Sequence, residues 1–500
     1  MNNEPAATAC DTPRFTAAES AQVPALGCAG LRPVRLRAYV LAYLAVAVPI
    51  CFLLLGRTDL VSMEGIIALG GRHMLRSGDW LVPRLYGELY AFKLALAYWL
   101  AAGTEVLFGR QTEFTLRLPT ALCGFGLGLA LFIAMGRMIG PRCGLYCALA
   151  AITSGLFLEQ VHMAGFELPL ALGLTVAMLA ACRNLAREDS DWRIWILGYA
   201  GLLLAFLSKG LPPVVLFAPG LIVGALAVKR LPRLAGGGHL AGVAFFLAGA
   251  GLYAWLAYRA DGIEAFHQHF AEVALRSGQW KLGRILKTIL KPVVVFGVML
   301  PWSVVLVGWA SKRLRPVLSD EEARIARTAW AFLVMGLLTF LAVSTDNARY
   351  YLPLVTPMAI LGGLSVDRLP GRRAPQAAWA LTMIGLIVWV VQVGFVQPHR
   401  AETRSLRGVA QAFDPYVPPN TVVYVDTQDS YSSLFYYLGR PVESWLSAEE
   451  PPPSGSYVVI VDRHAPALSL RSNLRLKPVA DQLAPDGHRY TLSRLVPASP

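Results

Sequence analysis

The sequence predicts a polytopic α-helical membrane protein with a small C-terminal α/β domain outside the membrane. Apolar residues make up 55% of the 500 positions and charged residues only 15%, which is too apolar for a single water-soluble core. The apolar residues are concentrated in segments long enough to cross a bilayer. After about residue 398 the pattern changes to short β-branched segments and Pro-rich turns. The bilayer is therefore the expected solvent for most of the chain.

The spans follow from apolar length, because a helix needs about 20 mostly apolar residues to cross the hydrocarbon core. Eleven segments are counted as spans, within a range of 11 to 13. They are 38–56, 116–136, 144–159, 167–183, 193–208, 211–228, 239–258, 287–310, 328–344, 350–366 and 377–396.

The net charge of +13 is explained by membrane orientation. The basic residues lie in short clusters between apolar segments instead of forming a stripe on one folded domain, so a nucleic-acid partner is not expected. The positive-inside rule then places the N-terminus in the cytoplasm and residues 398–500 in the periplasm. The basic clusters of every second connection are Arg137/Arg142, Arg183/Arg187, Lys229/Arg230/Arg233, Lys312/Arg313/Arg315 and Arg368/Arg372/Arg373.

Three regions follow from this topology. Residues 1–35, which are polar and rich in Ala and Pro, form a disordered cytoplasmic tail. Residues 36–397 form the transmembrane domain, with an outer loop at 57–115. Within that loop, 90–108 is apolar but would reverse the charge pattern if it were a span, so it is expected to lie in the outer interface with Tyr98 and Trp99 as aromatic anchors.

The segment 398–500 has the pattern of a small α/β domain. VVYVDT at 422–427 and YVVIVD at 457–462 are β-branched segments that predict strands, and SLFYYLG between them predicts a helix. All seven cysteines precede residue 183. A disulfide framework is therefore not expected, and Cys143 with Cys147 is expected to serve packing instead of metal binding.

The outer loop carries charged, glycine and aromatic residues at fixed spacing, within TDLVSMEGIIALGGRHMLRSGDWLVPRLYGELYAFKLALAYWL at 58–100. It resembles the first loop of bacterial glycosyltransferases of the aminoarabinose transferase and protein mannosyltransferase type. These enzymes belong to the C-type superfamily and use polyprenyl-phosphate sugars. The matching positions are Glu64, Arg72, Met74, Gly78, Asp79, Trp80, Pro83, Leu85, Gly87, Tyr90, Lys93, Tyr98 and Trp99.

Further matches follow in the same order along the chain, so the resemblance covers about residues 36–370. It implies the C-type glycosyltransferase fold in the bacterial inner membrane and an active site at the outer leaflet. It also implies a polyprenyl-phosphate sugar donor and a lipid or glycan acceptor as partners. The matches are RLP at 117–119, ELP at 167–169, FLSKG at 206–210, LPW at 300–302 and RYYLP at 349–353.

Transfer from a lipid-phosphate sugar requires cations that hold the departing phosphate and a carboxylate that takes a proton from the acceptor hydroxyl. The predicted topology places residues of both kinds on the outer side. The phosphate-binding candidates are Arg72, Lys93, Lys209, Arg349 and Tyr350. The catalytic candidates are Glu64, Asp59 and Glu167.

Several of these residues have a structural alternative. Lys209 can be a helix-end lysine whose ammonium reaches the interface, although a charge near membrane depth costs about 2.5–3.5 kcal/mol on insertion scales. Glu167 can be an acidic residue at a helix N-terminus, stabilised by the dipole, and Asp59 can be an N-cap. His267 and His269 are weak metal candidates that fit solvated loop residues better, so a divalent metal has no firm site.

The sequence departs from the family pattern at several positions, of which two bear on catalysis. The paired Asp-Glu becomes Met63-Glu64, so the aspartate usually assigned as the catalytic base is missing. The acid before the lysine becomes Phe92, which places metal dependence in doubt. Glu64 is the base candidate one position along, although adjacent helical residues point about 100° apart. Asp59 precedes Met63 by one helical turn and is the second candidate.

Two functions from different classes are consistent with these motifs. The first is an inverting hexosyl- or pentosyltransferase that moves a sugar from polyprenyl phosphate to an extracytoplasmic lipid or glycan, as in lipid A, lipopolysaccharide or protein glycosylation. The second is a non-catalytic relative that binds or presents a polyprenyl-phosphate lipid. Lys93 and Lys209 suit both functions, whereas Met63 and Phe92 favour the second.

Overall fold

A computed structural model describes residues 33–61, 63–277, 282–311, 316–342, 347–425, 431–445, 452–462 and 474–497. Residues 1–32 of the predicted tail lie outside this set. The α-helices are α1 (Pro33–Phe52), α2 (Met63–Ser77), α3 (Leu96–Phe108), α4 (Glu113–Met138), α5 (Pro141–Ile152), α6 (Gly155–Gln160), α7 (Glu167–Ala186), α8 (Trp192–Lys209), α9 (Pro212–Ala227), α10 (Gly237–Asp261), α11 (Glu264–Ser277), α12 (Leu282–Val298), α13 (Asp320–Ala342), α14 (Val355–Asp367), α15 (Arg373–Val391), α16 (Gln397–Arg404), α17 (Arg407–Phe413) and α18 (Ser432–Leu438).

Short elements connect these helices. 3₁₀ helices occur at Leu231–Ala235, Trp302–Ala310, Ala348–Leu354 and Asp414–Tyr416, and a π-helical turn at Gln392–Val396 joins α15 to α16. The strands are β1 (Arg84–Leu85), β2 (Glu88–Leu89), β3 (Val423–Val425), β4 (Val442–Ser444), β5 (Tyr457–Val461), β6 (Leu474–Leu483) and β7 (Arg489–Pro497).

Each of the eleven predicted spans coincides with at least one observed helix. Two differ in detail, since 144–159 is divided between α5 and α6, and 287–310 between α12 and a 3₁₀ helix. The number of spans stays a prediction. Among the described residues, five helical segments are long and apolar enough to cross a membrane: Glu113–Met138, Glu167–Ala186, Gly237–Asp261, Asp320–Ala342 and Arg373–Tyr416.

Helices α7 and α8 form the hairpin that positions the site. A Cβ at Gly173 would lie 2.3 Å from the carbonyl oxygen of Gly201, and a Cβ at Gly201 would lie 2.6 Å from that of Gly173. Small residues allow helix backbones to approach this closely. Because the two helices are consecutive and pack along each other, the first residue of α7, Glu167, lies beside the last residue of α8, Lys209.

Helix α3 occupies the apolar stretch that was predicted to lie in the outer interface. Its 13 residues extend about 20 Å at 1.5 Å per residue, which is too short for a hydrocarbon core about 30 Å thick. The prediction of an interface anchor was wrong for Tyr98, whose side chain is buried, whereas for the half-buried Trp99 it stays a prediction. Tyr98 is buried against Gly70 and Phe166, and the Trp99 ring N–H donates to the carbonyl oxygen of Trp80 at 2.6 Å.

The C-terminal strands form a five-stranded sheet in the order β4-β3-β5-β7-β6. Strand β3 is parallel to β4 and β5, whereas β7 is antiparallel to β5 and β6. The predicted strands match β3 and β5, and the predicted helix matches α18. The domain limits stay a prediction, and the expected boundary at 398 falls inside α16.

Helix α18 docks against the outer loop at Gly65 of α2. A Cβ at Gly65 would lie 2.4 Å from the backbone nitrogen of Ser433. Next to this contact, the Tyr436 hydroxyl donates to the carbonyl oxygen of Gln111 at 3.0 Å, and the Leu60 N–H donates to the Tyr437 hydroxyl at 2.7 Å. The C-terminal sheet and the outer loop therefore share a tightly packed interface.

Gly65→Ala is expected to loosen this interface, because the added methyl group meets backbone atoms that cannot rotate away. Overpacking of this kind costs about 1–3 kcal/mol. Thermal unfolding of the detergent-solubilised protein should show a lower Tm. Limited trypsin digestion should release the C-terminal part faster. Gly103→Ala on α3, where a Cβ meets nothing within 4 Å, is the matched control, and equal Tm values for both variants would contradict the prediction.

Candidate functional site

The candidate site centres on Glu167, the first residue of α7, which is buried. Its Oε1 lies 3.2 Å from the Nζ of Lys209 and 3.4 Å from the Nε of Arg349. Its Oε2 accepts a hydrogen bond from the backbone N–H of Phe166 at 3.1 Å. Two cations from distant parts of the chain therefore meet at one carboxylate oxygen.

Tyr350, which follows Arg349 in the 3₁₀ helix Ala348–Leu354, places its ring beside both cations. The Lys209 ammonium lies 3.8 Å from the centre of the Tyr350 ring, and the Arg349 guanidinium lies 5.4 Å from it. Both positions are within the range of cation–π attraction. The Nε of Arg349 is buried and makes no hydrogen bond within the described part of the chain. The cluster carries two positive charges against one negative charge, which suits a phosphate ligand.

Lys93 belongs to a neighbouring segment that helix α11 holds against the end of α8. The His269 Nδ1 and the Lys93 Nζ each lie 3.2 Å from the carbonyl oxygen of Phe92. The ring of His269 also abuts Gly210, where a Cβ would lie 2.3 Å from its Nε2. Gly210 has a φ of +75°, so glycine is favoured there for both space and conformation.

Gln268 fixes the same segment through both ends of its side-chain amide. Its Oε1 accepts from the backbone N–H of Ala91 at 2.8 Å, and its Nε2 donates to the carbonyl oxygen of Leu89 at 3.1 Å. This pattern extends the edge of β2 with a side chain. Through Gln268 and His269, α11 aligns the segment that carries Lys93 with the end of α8 that carries Lys209.

Glu64 lies elsewhere, in a fully buried ion pair with Arg117 of α4. Its Oε1 accepts from the Arg117 Nε at 2.7 Å and from the Ala164 N–H at 2.9 Å. Its Oε2 accepts from the Arg117 Nη2 at 2.9 Å and from the Val61 N–H at 3.1 Å. Four hydrogen bonds saturate the carboxylate, so these contacts suit positioning better than proton transfer.

Asp59 is held by the C-terminal part of the chain. Its Oδ2 accepts from the Ser405 hydroxyl at 2.8 Å, and its Oδ1 lies 2.5 Å from the Arg407 Nη1. Arg407 also pairs with Glu113 at 3.3 Å. The predicted N-cap role of Asp59 is wrong, since its side chain bonds to distant residues instead of to the backbone at the start of α2.

Arg72, unlike Lys209, Arg349 and Tyr350, has its partners outside this cluster. It lies 3.7 Å from Glu105 and 4.6 Å from the centre of the Tyr436 ring. The weak metal candidates do not share a site either, because His267 pairs with Glu264 at 3.2 Å whereas His269 faces the Phe92 carbonyl. Within the described ranges, no three His, Cys, Asp or Glu side chains could hold a metal ion.

Sequence reasoning missed three residues of this region. Lys291 of α12 is buried and donates to the carbonyl oxygen of Phe340 at 2.8 Å, and its charge inside a predicted span was a usable signal. Gln268 and Arg407 have partners about 177 and 348 residues away. No local pattern in a single sequence reveals pairs so far apart.

Comparison with known proteins identifies the class first. A family model described as dolichyl-phosphate-mannose-protein mannosyltransferase matches residues 95–255. The structure of ArnT from Cupriavidus metallidurans, solved in the apo state and bound to undecaprenyl phosphate, superposes with a TM-score of 0.74 at 18% identity. The superposition covers 91% of this chain and 98% of that one. The chain is a multi-pass membrane protein with this fold.

The relatives found by sequence are more specific and are named as arabinosyl transferases. The undecaprenyl phosphate-alpha-4-amino-4-deoxy-L-arabinose arabinosyl transferase 1 of Sodalis glossinidius is 28% identical over 305 residues, which are 58% of this chain and 52% of the relative. The transferase of the same kind from Pectobacterium atrosepticum is 27% identical over 354 residues, 66% of this chain and 60% of the relative. The matches thus span between half and three fifths of these relatives. The motif-based prediction is confirmed: the chain is a relative of the C-type polyprenyl-phosphate-sugar glycosyltransferases.

Arg117→Met is expected to destabilise the protein strongly, because it leaves the Glu64 carboxylate buried without its counterion. Removing one partner of a buried pair costs about 3–5 kcal/mol. The Tm in detergent should fall by several degrees. The control is Asp189→Asn, which removes one partner of a pair whose carboxylate is largely exposed and should leave the Tm nearly unchanged. Similar Tm values for both variants would show that the buried pair is dispensable.

Proposed function

We propose that this protein transfers a sugar from a polyprenyl-phosphate carrier to an extracytoplasmic lipid or glycan by inverting displacement at the outer leaflet. The observation that carries the proposal is the meeting of Lys209 and Arg349 at Glu167 beneath Tyr350. The relatives that match the chain are named undecaprenyl-phosphate arabinosyl transferases, which supports a pentose donor and an acceptor of the lipopolysaccharide type.

The proposed topology has eleven spans, a cytoplasmic N-terminus and a periplasmic C-terminal domain in the bacterial inner membrane. The spacing of basic clusters supports this orientation. The start of α7 and the end of α8 then lie at the outer face. A polyprenyl tail in the outer leaflet can reach a phosphate site there without its headgroup entering the hydrocarbon core.

The cations of the site are proposed to bind the carrier phosphate. Lys209 and Arg349 share one carboxylate oxygen, so an arriving phosphate competes with Glu167 for both of them. Lys93, which α11 aligns with the same end of α8, supplies a third positive charge. Charge-assisted hydrogen bonds from these groups stabilise the phosphate as negative charge accumulates on it during departure of the sugar.

Glu167 is the proposed general base. The acceptor oxygen forms a bond to the anomeric carbon, the bond from that carbon to the phosphate oxygen breaks, and the acceptor proton passes to the carboxylate. In the free protein, pairing with two cations makes Glu167 a weak base. When the phosphate draws Lys209 and Arg349 away, the carboxylate regains its basicity, so binding of the donor and activation of the base are coupled.

Glu64 and Asp59 are assigned positioning roles in this mechanism. Both carboxylates are occupied by hydrogen bonds from neighbouring elements. The second candidate function, binding of a polyprenyl-phosphate lipid without transfer, is favoured by one specific observation. Met63 stands where the family places its catalytic aspartate, and the adjacent Glu64 has no oxygen lone pair left for a proton.

Lys209→Met is expected to weaken binding of undecaprenyl phosphate about tenfold or more, because a charge-assisted hydrogen bond contributes roughly 1.5–3 kcal/mol. Titration of the detergent-solubilised protein, followed by native mass spectrometry, measures the dissociation constant. Arg57→Met, which removes an exposed positive charge at the start of the loop 57–115, is the control. Equal affinities for both variants would remove Lys209 from the site.

Glu167→Gln separates the two candidate functions. If Glu167 is the base, the variant should bind undecaprenyl phosphate at least as well as the wild type, while kcat for transfer falls about 10²–10⁴-fold. Transfer is measured with radiolabelled undecaprenyl-phosphate aminoarabinose and lipid A as acceptor. Binding by the wild type without transfer to this acceptor or to other glycolipids favours the non-catalytic function, and full activity of the variant excludes Glu167 as the base.

A further inference from the structure

A positively charged cavity lies between α2 and the C-terminal sheet. It shares no lining residue with the cluster around Glu167. Its volume is about 180 Å³. We call it the arginine pocket and define it by the lining residues Arg72, His73, Arg76, Tyr86, Phe435 and Arg440. None of the side chains that line it is acidic.

The pocket has hydrogen-bond donors that the described residues do not use. Arg72 makes no hydrogen bond to any of them, since it only approaches Glu105 at 3.7 Å and stacks on Tyr436 at 4.6 Å. Arg76, one helical turn further along α2, has an exposed side chain and no partner in the described part of the chain. A guanidinium carries five donors in a planar fork that matches phosphate and carboxylate.

The placement of two arginines four residues apart has a physical cost. Like charges at this spacing on a helix repel each other and destabilise it by a few tenths of a kcal/mol. Arg440 adds a third guanidinium, although its own donors are bonded to Asp414 and to the carbonyl oxygens of Val417 and Leu438. Burial and the nearby Arg84 lower the pKa of His73, so the pocket's charge comes from its arginines.

Two of the residues that line the pocket, Tyr86 and Phe435, are aromatic and buried. The rings of Tyr86 and Phe435 meet edge to face with their centres 5.4 Å apart. Their mutual packing gives the pocket a rigid apolar base. Fork-shaped donors in a lining without acidic side chains suit a ligand with a phosphate or carboxylate substituent. A neutral sugar leaves the guanidinium groups unpaired.

We propose that the arginine pocket binds an anionic saccharide of the acceptor, with Arg72 and Arg76 holding its phosphate or carboxylate. This inference rests on the proposed transfer function, because it assigns the pocket to the acceptor and the Glu167 cluster to the donor. The pocket lies between the outer loop and the C-terminal sheet, and both line the side of the protein on which the acceptor is proposed to arrive.

The test uses the full-length protein in nanodiscs and saturation-transfer NMR with three water-soluble probes: glucose 1-phosphate, glucuronate and glucose. The wild type should bind at least one of the two anionic sugars saturably and bind glucose far more weakly. Comparing glucose 1-phosphate with glucuronate shows whether the pocket prefers a phosphate or a carboxylate group. Arg72→Gln should raise the dissociation constant about tenfold or more, and Arg57→Gln, an exposed arginine outside the pocket, should leave it unchanged.

Two further variants keep the outcome interpretable. Arg76→Gln changes an exposed side chain that the fold does not use, so it should weaken binding without lowering the Tm even if Arg72→Gln proves unstable. Lys209→Met should retain saccharide binding while binding undecaprenyl phosphate about tenfold or more weakly. Saccharide binding that disappears in Lys209→Met but persists in both arginine variants would place the anion at the donor cluster and overturn the inference.

Failure of the transfer function is distinguishable from failure of this inference. In one outcome, the wild type binds an anionic sugar through Arg72 but no undecaprenyl phosphate. That result supports the arginine pocket and rejects the Glu167 cluster as the donor site. If no anionic sugar binds, or if binding is the same in the wild type and both arginine variants, the pocket has no such role. Arg72 then acts only through its packing on Tyr436.

Discussion

The packing around the loop 57–115 depends on the buried ion pair between Glu64 and Arg117. One carboxylate receives hydrogen bonds from α4, from the segment before α2 and from the turn before α7. Arg117 in turn donates to the carbonyl oxygens of Leu55, Thr58 and Asp59. Because a buried charge must be paired and a buried carbonyl must accept a hydrogen bond, these partners have one arrangement that satisfies all of them.

This arrangement sets the position of α2, and α2 contributes to two different places. One face of α2 packs through Gly70 on Tyr98, which contacts Phe166 beside Glu167. Another carries Arg72 and Arg76 into the arginine pocket. The Glu167 cluster and the arginine pocket are thus connected through one short helix, which holds both at fixed positions.

The candidate site shows where prediction from sequence succeeds and where it ends. The sequence indicates each of four residues separately, because each is polar and lies at the end of an apolar segment or within a motif: Lys209, Glu167, Arg349 and Tyr350. The structure places them together. Glu64 carries the same kind of signal but lies in a saturated ion pair. A charged residue near the membrane is unusual in either role, so its type and position alone do not distinguish a ligand-binding group from an internal one.

The sequence by itself determined that the chain spans a membrane many times, since the length and composition of each apolar segment depend only on local residues. It also determined the resemblance to polyprenyl-phosphate-sugar glycosyltransferases, because the motifs are local in the chain. The tertiary structure alone decided which charges meet. Contacts such as Asp59 with Arg407, or Gln268 with the segment after β2, join residues 348 and 177 positions apart. Their geometry depends on how the helices pack, which no local pattern records.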